Sequence, residues 1–150
     1  MITTESMPEN DLKDILNQYW KDTEDFPKPE IIVVNDVDET IARTDLTNSD
    51  ALLINMPSAE NFRGRGNLVY YDRVIPSLQV IILTRDSRQR LKNLSKMVRA
   101  IVWDRHHFFP NYQLIKPVGY RELVNTDLNI WRAEITFSVE SHAIKVETLL

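Results

Sequence analysis

The sequence has no cysteine, little glycine and no long apolar run. Without cysteine there are no disulfides, no zinc–thiolate sites and no thiol nucleophile. Only 3 glycines occur, and none precedes Gly64. This argues against nucleotide-binding folds, whose phosphate loops need glycine for close backbone approach. The longest apolar runs have only four or five residues, so we expect no segment that spans a membrane.

What is present is typical of one globular domain over residues 1–150, with 43% hydrophobic and 27% charged residues. The polar, acidic N-terminus does not resemble a signal or transit peptide, so we expect synthesis in a cytoplasm. Charge is distributed unevenly along the chain. Residues 1–50 carry 13 acidic and 4 basic side chains, whereas residues 51–150 carry 9 and 14. This division predicts two surfaces of opposite sign. A dedicated nucleic-acid binder would be more basic than the pI of 5.4 allows.

Hydrophobic periodicity predicts an α+β fold, with a mainly antiparallel sheet packed against an N-terminal helix and one long amphipathic helix. The three tryptophans, Trp20, Trp103 and Trp131, are expected in the core. The predicted helices span residues 8–24, with Asn10 as N-cap and Pro8 just outside, and residues 86–103, capped by Asp86 or Ser87. The predicted strands are Ile31–Val34, Ala51–Met56, two segments between Leu68 and Leu83 interrupted by Pro76, Tyr112–Val118, 130–139 and a last alternation of Ile144, Val146 and Leu149. Residues 35–50 are predicted as an excursion or long hairpin, and residues 57–67 as an exposed loop.

An acidic motif follows the first predicted strand. Asp36, Asp38 and Thr40 form a D-x-D-x-T pattern that resembles the first motif of haloacid-dehalogenase-type phosphatases, which are magnesium-dependent. Thr84 and Lys116 could then supply the second and third motifs. The acidic pair that this family needs further downstream is missing, so an acidic turn at a strand end is the favoured interpretation. We therefore expect no catalytic residue, no cofactor and no phosphatase activity.

The histidines, His106, His107 and His142, lack the spacing of a metal site, so no metal is expected either.

Two basic segments are candidate docking surfaces. The long helix carries a basic outer face, and the loop FRGRGN adds two arginines flanked by glycine. A solvated helix surface is the alternative for the first of these. The residues predicted at an interface are Arg63, Arg65, Arg88, Lys92 and Lys96 on the basic side, and Asp36, Asp38 and Asp45 on the acidic side.

The order of elements, the strand-to-helix step ILTRDSRQRLKNL and the late strand NIWRAEITFSV resemble the tail terminators and other neck proteins of tailed bacterial and archaeal viruses. The acidic segment 35–50 departs from that pattern. The resemblance implies a virion structural protein with no active site. It implies a homo-oligomeric ring, expected to be a hexamer, that caps the tail tube and joins it to the head.

Its partners would be a neck or head-completion protein and the tail tube protein, with DNA nearby in the channel and no membrane. A ring needs heterologous contacts, which an acidic and a basic half would suit. Another structural or nucleic-acid-binding adaptor is the alternative, and a small magnesium-dependent phosphatase is a third.

Overall fold

A six-stranded sheet with helices packed against it forms the core of the computed structural model. The structure describes residues 7–43, 46, 49–57, 59, 61–64, 71–105, 112–125 and 129–142. The predicted α+β class is confirmed. In chain order the elements are α1 (Pro8–Tyr19), β1 (Glu30–Val34), α2 (Val37–Arg43), β2 (Ala51–Asn55), β3 (Asn61–Gly64), β4 (Tyr71–Thr84), α3 (Arg88–Arg105), β5 (Tyr112–Asn125) and β6 (Ile130–His142).

The strand order is β1-β2-β4-β6-β5, and every pair is antiparallel except the parallel pair β1–β2. β3 pairs with the first residues of β4, and β2 pairs with the last residues of the same strand. Strands β1 and β5 are therefore the two outer strands of the described sheet. The three long strands β4, β5 and β6 make up most of its area.

The main core lies between the sheet and the helices α1 and α3. β6 shows the alternation that the sequence predicts, since Ala133, Ile135, Phe137 and Val139 are all buried on this helix side. A smaller apolar cluster covers part of the opposite face, which we call the open side. There Val37 and Ile41 of α2 pack, together with buried Leu46, against β1, β2 and β4.

The first helix is shorter than predicted. It begins at Pro8, with Met7 rather than Asn10 as N-cap, and ends at Tyr19. Proline suits the first helical position because it has no N–H to satisfy and its φ is already helical. Trp20 follows the helix and is buried as expected, and its Nε1 donates a hydrogen bond to the Phe26 carbonyl at 3.0 Å.

The excursion predicted for residues 35–50 contains a helix, α2, so the expectation of a hairpin there was wrong. Asp36 caps this helix: its Oδ1 accepts a hydrogen bond from the Glu39 N–H at 3.0 Å. Such side-chain acceptors satisfy amide donors that have no partner in the first helical turn. The predicted loop at 57–67 likewise contains a strand, β3.

Pro76 does not divide β4 into two strands as predicted. The pairing of β4 with β6 shifts by one residue between Ile75 and Leu78, which is a β-bulge at the proline. A bulge accommodates the missing N–H without ending the strand. β5 also continues beyond the predicted end at Val118, through a second shift between Pro117 and Gly119. Pro117 lies on an outer strand, where its missing N–H is tolerated.

The long helix has the predicted apolar face, with Leu91, Leu94 and Val98 fully buried and Ile101 and Val102 nearly so. Ser87 caps it by accepting a hydrogen bond from the Arg90 N–H at 3.1 Å.

Trp103 contradicts its prediction as a core residue, because it lies on the outer face of α3 and is 74% exposed. Trp131 packs partly buried against the core. The predicted alternation of Ile144, Val146 and Leu149 and the pair His106-His107 lie outside the described residues.

Among the helices that the structure describes, none combines the length and the apolar character needed to cross a bilayer.

Candidate assembly surface

Opposite charges lie at the two ends of the sheet. Helix α1 packs against β1, β2 and also α3, whereas α2 lies on the open side beside β1 and β2. Residues 7–43, which contain these helices and β1, carry 10 acidic and 4 basic side chains, a net of −6. Helix α3 packs against β4, β6 and β5. Together α3 and β5 carry 8 basic and 2 acidic side chains, a net of +6. Because α1 and α3 contact each other, the division of charge along the sequence is only in part a division across the fold.

Glu122 of β5 joins the basic helix to the outer strand. Its carboxylate accepts hydrogen bonds from Arg88 Nε at 2.9 Å and from the Tyr120 hydroxyl at 2.7 Å. The ammonium of Lys92 lies 3.1 Å from the same carboxylate. Arg88 and Lys92, both predicted at an interface, therefore have a partner within their own chain.

These contacts change the titration of the group. The hydrogen bond from Tyr120, followed by that from Arg88, lowers the pKa of Glu122 from an ordinary 4.5 to about 2. The carboxylate therefore stays charged across the physiological range and holds the start of α3 beside β5.

Tyr120 also lies beneath two cations of α3. Lys92 Nζ is 5.9 Å and the Arg99 guanidinium 5.7 Å from the centre of its ring. Cations over an aromatic face are attracted by the negative charge of its π system. Burial is the main cause that raises the pKa of the Tyr120 phenol. The phenol is therefore uncharged at neutral pH, and its ring packs between α3 and β5.

The β5 end is also rich in exposed apolar side chains. Val118, Tyr120 and Leu123 of β5 are 53%, 41% and 39% exposed, and Trp103 lies exposed on the adjacent helix. Tyr120 contacts α3 on the helix side, whereas Leu123 is paired with Arg132 and so lies on the open side. Large apolar residues on both sides of an outer strand are unusual, because such edges favour pairing with another chain.

An ion-pair network lies on the open side of the sheet. Glu134 of β6 is buried, and it accepts hydrogen bonds from Arg121 Nε at 3.1 Å and from Arg132 Nη2 at 2.5 Å. Burial by itself raises the pKa of Glu134, but the hydrogen bonds from the two arginines outweigh it and lower that pKa. Asp38 of α2 lies 4.0 Å from Arg132. The network therefore links α2 to β6 and β5.

A third polar cluster lies beside the first turn of α3. The Thr84 hydroxyl donates to Asp50 Oδ1 at 2.6 Å, and Arg90 Nη1 donates to Asp50 Oδ2 at 3.2 Å. Asp50 and Arg90 border a cavity of about 330 Å³ that Lys28 and Arg85 also line. Here an acidic residue from the segment 35–50 meets a basic residue of α3 within one molecule, a contact of the kind that the sequence predicted between molecules.

The residues of the phosphatase-like motif are not brought together. Asp36 follows the end of β1, whereas Thr84 lies at the end of β4, which runs in the opposite direction. Val34 is level with Gln79 across the sheet, five residues before Thr84, a separation of roughly 17 Å along the strand. Lys116 is on β5, which β6 separates from β4. Asp36 instead acts as a helix cap, which agrees with the predicted acidic turn.

The remaining predicted interface residues are spread over the molecule. Lys96 is exposed on α3, and Arg63 belongs to β3, opposite Asp72 of β4. Arg65 and Asp45 lie outside the described residues. The sequence analysis missed the exposed residues of β5. The sequence could have indicated them. Tyr120 and Leu123 are large apolar residues that follow Pro117, and because side chains alternate along a strand, an even and an odd position lie on opposite sides of it.

The chain matches no known family model. It also has no significant match among curated proteins.

Proposed function

We propose that the protein is a structural subunit of the neck or tail end of a tailed virus, where copies associate head-to-tail into a ring. The observation that carries this proposal is the division of charge between two parts of the fold, with a net of −6 in residues 7–43, which contain the outer strand β1, and a net of +6 in α3 together with the outer strand β5. A cyclic ring repeats one contact between two different surfaces, so the two surfaces must complement each other. Opposite charges meet this need by guiding approach and fixing orientation.

The α+β fold and the order of its elements support the same proposal, because they agree with the resemblance to tail terminators. In that role the ring, expected to be a hexamer, caps the tail tube and contacts a head-completion protein, with DNA passing through its channel. The exposed apolar residues of β5 supply contact area that charges alone do not. Exposed ion pairs stabilise a contact by only about 0–1 kcal/mol each.

Electron microscopy tests the proposal directly. Antibodies against the protein, labelled with gold, should bind tailed particles of the virus that encodes it at the junction of head and tail. Negative staining of the purified protein at low salt should show rings with an open centre. Particles that carry no label, before and after mild disruption of the neck, would refute a virion role whatever the purified protein does.

A second candidate function is an adaptor that binds nucleic acid through α3. Its support is the composition of that helix, which has 6 basic residues and 1 acidic residue. Two of the cations, Arg88 and Lys92, are paired with Glu122, which reduces the charge available to phosphates. Fluorescence anisotropy with a labelled DNA duplex distinguishes this function, since phosphate contacts produce an affinity that falls steeply with salt.

A further inference from the structure

We infer that the outer edge of β5 is a strand-pairing site, and that its occupant is the outer edge of β1 in a second copy of this chain. The inference rests on the proposed head-to-tail association and names the strands that make the contact. Within the described residues, no strand pairs with the outer edge of β1 or of β5. Both edges therefore offer backbone donors and acceptors to another chain.

The form of β5 restricts where a partner strand can lie. Lys116, Pro117 and the pairing shift before Gly119 protect the first half of the edge, because charge, proline and bulges all discourage pairing. The half from Gly119 onwards has no proline and no pairing shift, and its charged residues Arg121 and Glu122 are held in ion pairs within the chain. It carries Tyr120 and Leu123 on opposite sides. A strand that pairs with this half of β5 would cover both side chains. A partner that contacts only the helix side or only the open side of the sheet would cover one of them.

Charge decides which edge docks. Pairing of β5 with β5 of another copy would bring together two copies of α3 and β5, which have a net charge of +6 in each chain, whereas pairing with β1 brings this charge to the strand of residues 7–43, which have a net charge of −6. Like charges across an interface disfavour the wrong partner. The contact is therefore heterologous, and each copy uses both of its edges.

Strand direction follows from the topology. β1 and β5 run in opposite directions within one sheet. A second copy that continues the sheet in the same orientation thus places its β1 antiparallel to β5. Val33 lies at the level of Tyr120 across the sheet, and Ile32 lies at the level of Arg121. Val33 and Tyr120 contact the helix side, whereas Ile32 belongs with the cluster on the open side.

Disulfide trapping tests the pairing cleanly, because the chain has no cysteine of its own. Val33→Cys is mixed with Tyr120→Cys, and separately Ile32→Cys with Arg121→Cys, under mild oxidation at low salt. Both mixtures should give cross-linked dimers of one copy of each variant. The matched control mixes Val33→Cys with Leu123→Cys, whose side chains lie on opposite sides, and should give at least tenfold less. Circular dichroism of each variant confirms that it is folded.

A second variant tests the apolar contact without cysteine. Leu123→Ser should raise the dissociation constant of the oligomer about tenfold, because Leu123 would be covered by the partner strand. Met56→Ser is the control, since Met56 is 46% exposed but follows β2, an inner strand. Sedimentation at a series of concentrations measures both.

The outcomes separate this inference from the proposed function. Oligomers that form without the β1–β5 cross-links, or Tyr120→Cys alone cross-linking with itself, would overturn the strand pairing and leave the virion role standing. A wild-type protein that stays monomeric at its highest soluble concentration and gives no cross-link would also overturn the pairing. Cross-linked oligomers of a protein absent from virus particles would refute the virion role alone.

Discussion

Glu122 contributes more defined polar contacts than any other residue discussed at the β5 end. Its carboxylate contacts Arg88, Lys92 and Tyr120, and so joins the first turns of α3 to a strand that, among the described strands, pairs only with β6. The basic face of α3 was foreseeable from sequence, since its cations follow one another at helical spacing. Its pairing with Glu122 was not, because Arg88 and Glu122 are 34 residues apart and their contact depends on how α3 packs against the sheet.

The same limit applies to Trp103. Its position beside Val102 and Ile101 favours burial in the sequence, but the helical turn carries it to the outer face, where it is exposed. A single-residue error in the phase of a helix therefore changes a core residue into a surface one. The exposed apolar surface of the β5 end was hidden by this error.

The first prediction concerns pH. The pKa of Glu122 is about 2 in the folded chain and higher when unfolded, so its contacts stabilise the fold fully above about pH 4.5. That stability is lost as pH falls from 4.5 towards 2, because protonation then favours the unfolded chain. Glu122→Gln should lower the melting temperature at pH 7. Its melting temperature should also fall less steeply than that of the wild type between pH 4.5 and pH 2. Thermal melts across pH check it.

Glu24→Gln is the control for that measurement, since Glu24 is exposed in the segment between α1 and β1. Its profile should follow that of the wild type. If Glu122→Gln and Glu24→Gln gave the same pH profile, the Arg88–Lys92–Tyr120 contacts would not stabilise the fold.

At the scale of elements, hydrophobic periodicity predicted the long helix and strand that have one face in the core, but not the short or interrupted elements. The stripe of α3 and the alternation of β6 were confirmed because each element is long and has one face in the core. β4 was misread as two strands, since proline interrupts a sequence pattern even where a bulge lets the ladder continue. α2 was missed because seven residues make less than two helical turns, too few for a convincing apolar stripe.

The second prediction tests the packing of α3. Leu94 is fully buried between α3 and the sheet. Leu94→Ala should lower the free energy of unfolding by about 2–5 kcal/mol, through lost burial and the cavity left behind. Lys96→Ala, on the exposed face of the same helix, should change it by less than about 0.5 kcal/mol. Urea denaturation measures both, and equal effects would mean that the assigned core face of α3 is wrong.

The third prediction separates a helix cap from a nucleophile at Asp36. Asp36→Ala should cost about 1 kcal/mol of stability, because the Glu39 N–H loses its acceptor. Asp36→Asn should cost almost nothing, since asparagine caps as well as aspartate. Wild type and both variants should show no phosphomonoester hydrolysis with magnesium. Turnover in the wild type that Asp36→Asn abolishes would restore the phosphatase alternative.

At the scale of the whole molecule, the sequence predicted two surfaces of opposite charge but could not say where they lie. The acidic half could have folded against the basic half and cancelled it. In part it does, since Asp50 pairs with Arg90 and Asp38 lies near Arg132. Ten of the acidic residues instead lie in residues 7–43, which contain β1, and the strand order places β1 and β5 at opposite borders of the sheet.

The last prediction uses this separation to distinguish two ways of assembling. Lys96 is exposed on the basic helix and Asp14 is exposed on α1. If copies meet head-to-tail, Lys96→Glu and Asp14→Lys should each weaken association, by up to about fivefold in the dissociation constant for a contribution of about 1 kcal/mol. The chain that carries both changes should recover the wild-type affinity, because every contact then regains one positive and one negative partner.

A symmetric contact between two β5 ends gives the opposite result. Lys96→Glu would then strengthen association by relieving repulsion, and Asp14→Lys would have no effect. Sedimentation of the wild type, the two single variants and the double variant at low salt distinguishes the two arrangements. Repeating it near 1 M salt, where screening acts within about 3 Å, should bring all four affinities together and leave only the apolar contact of the outer strand.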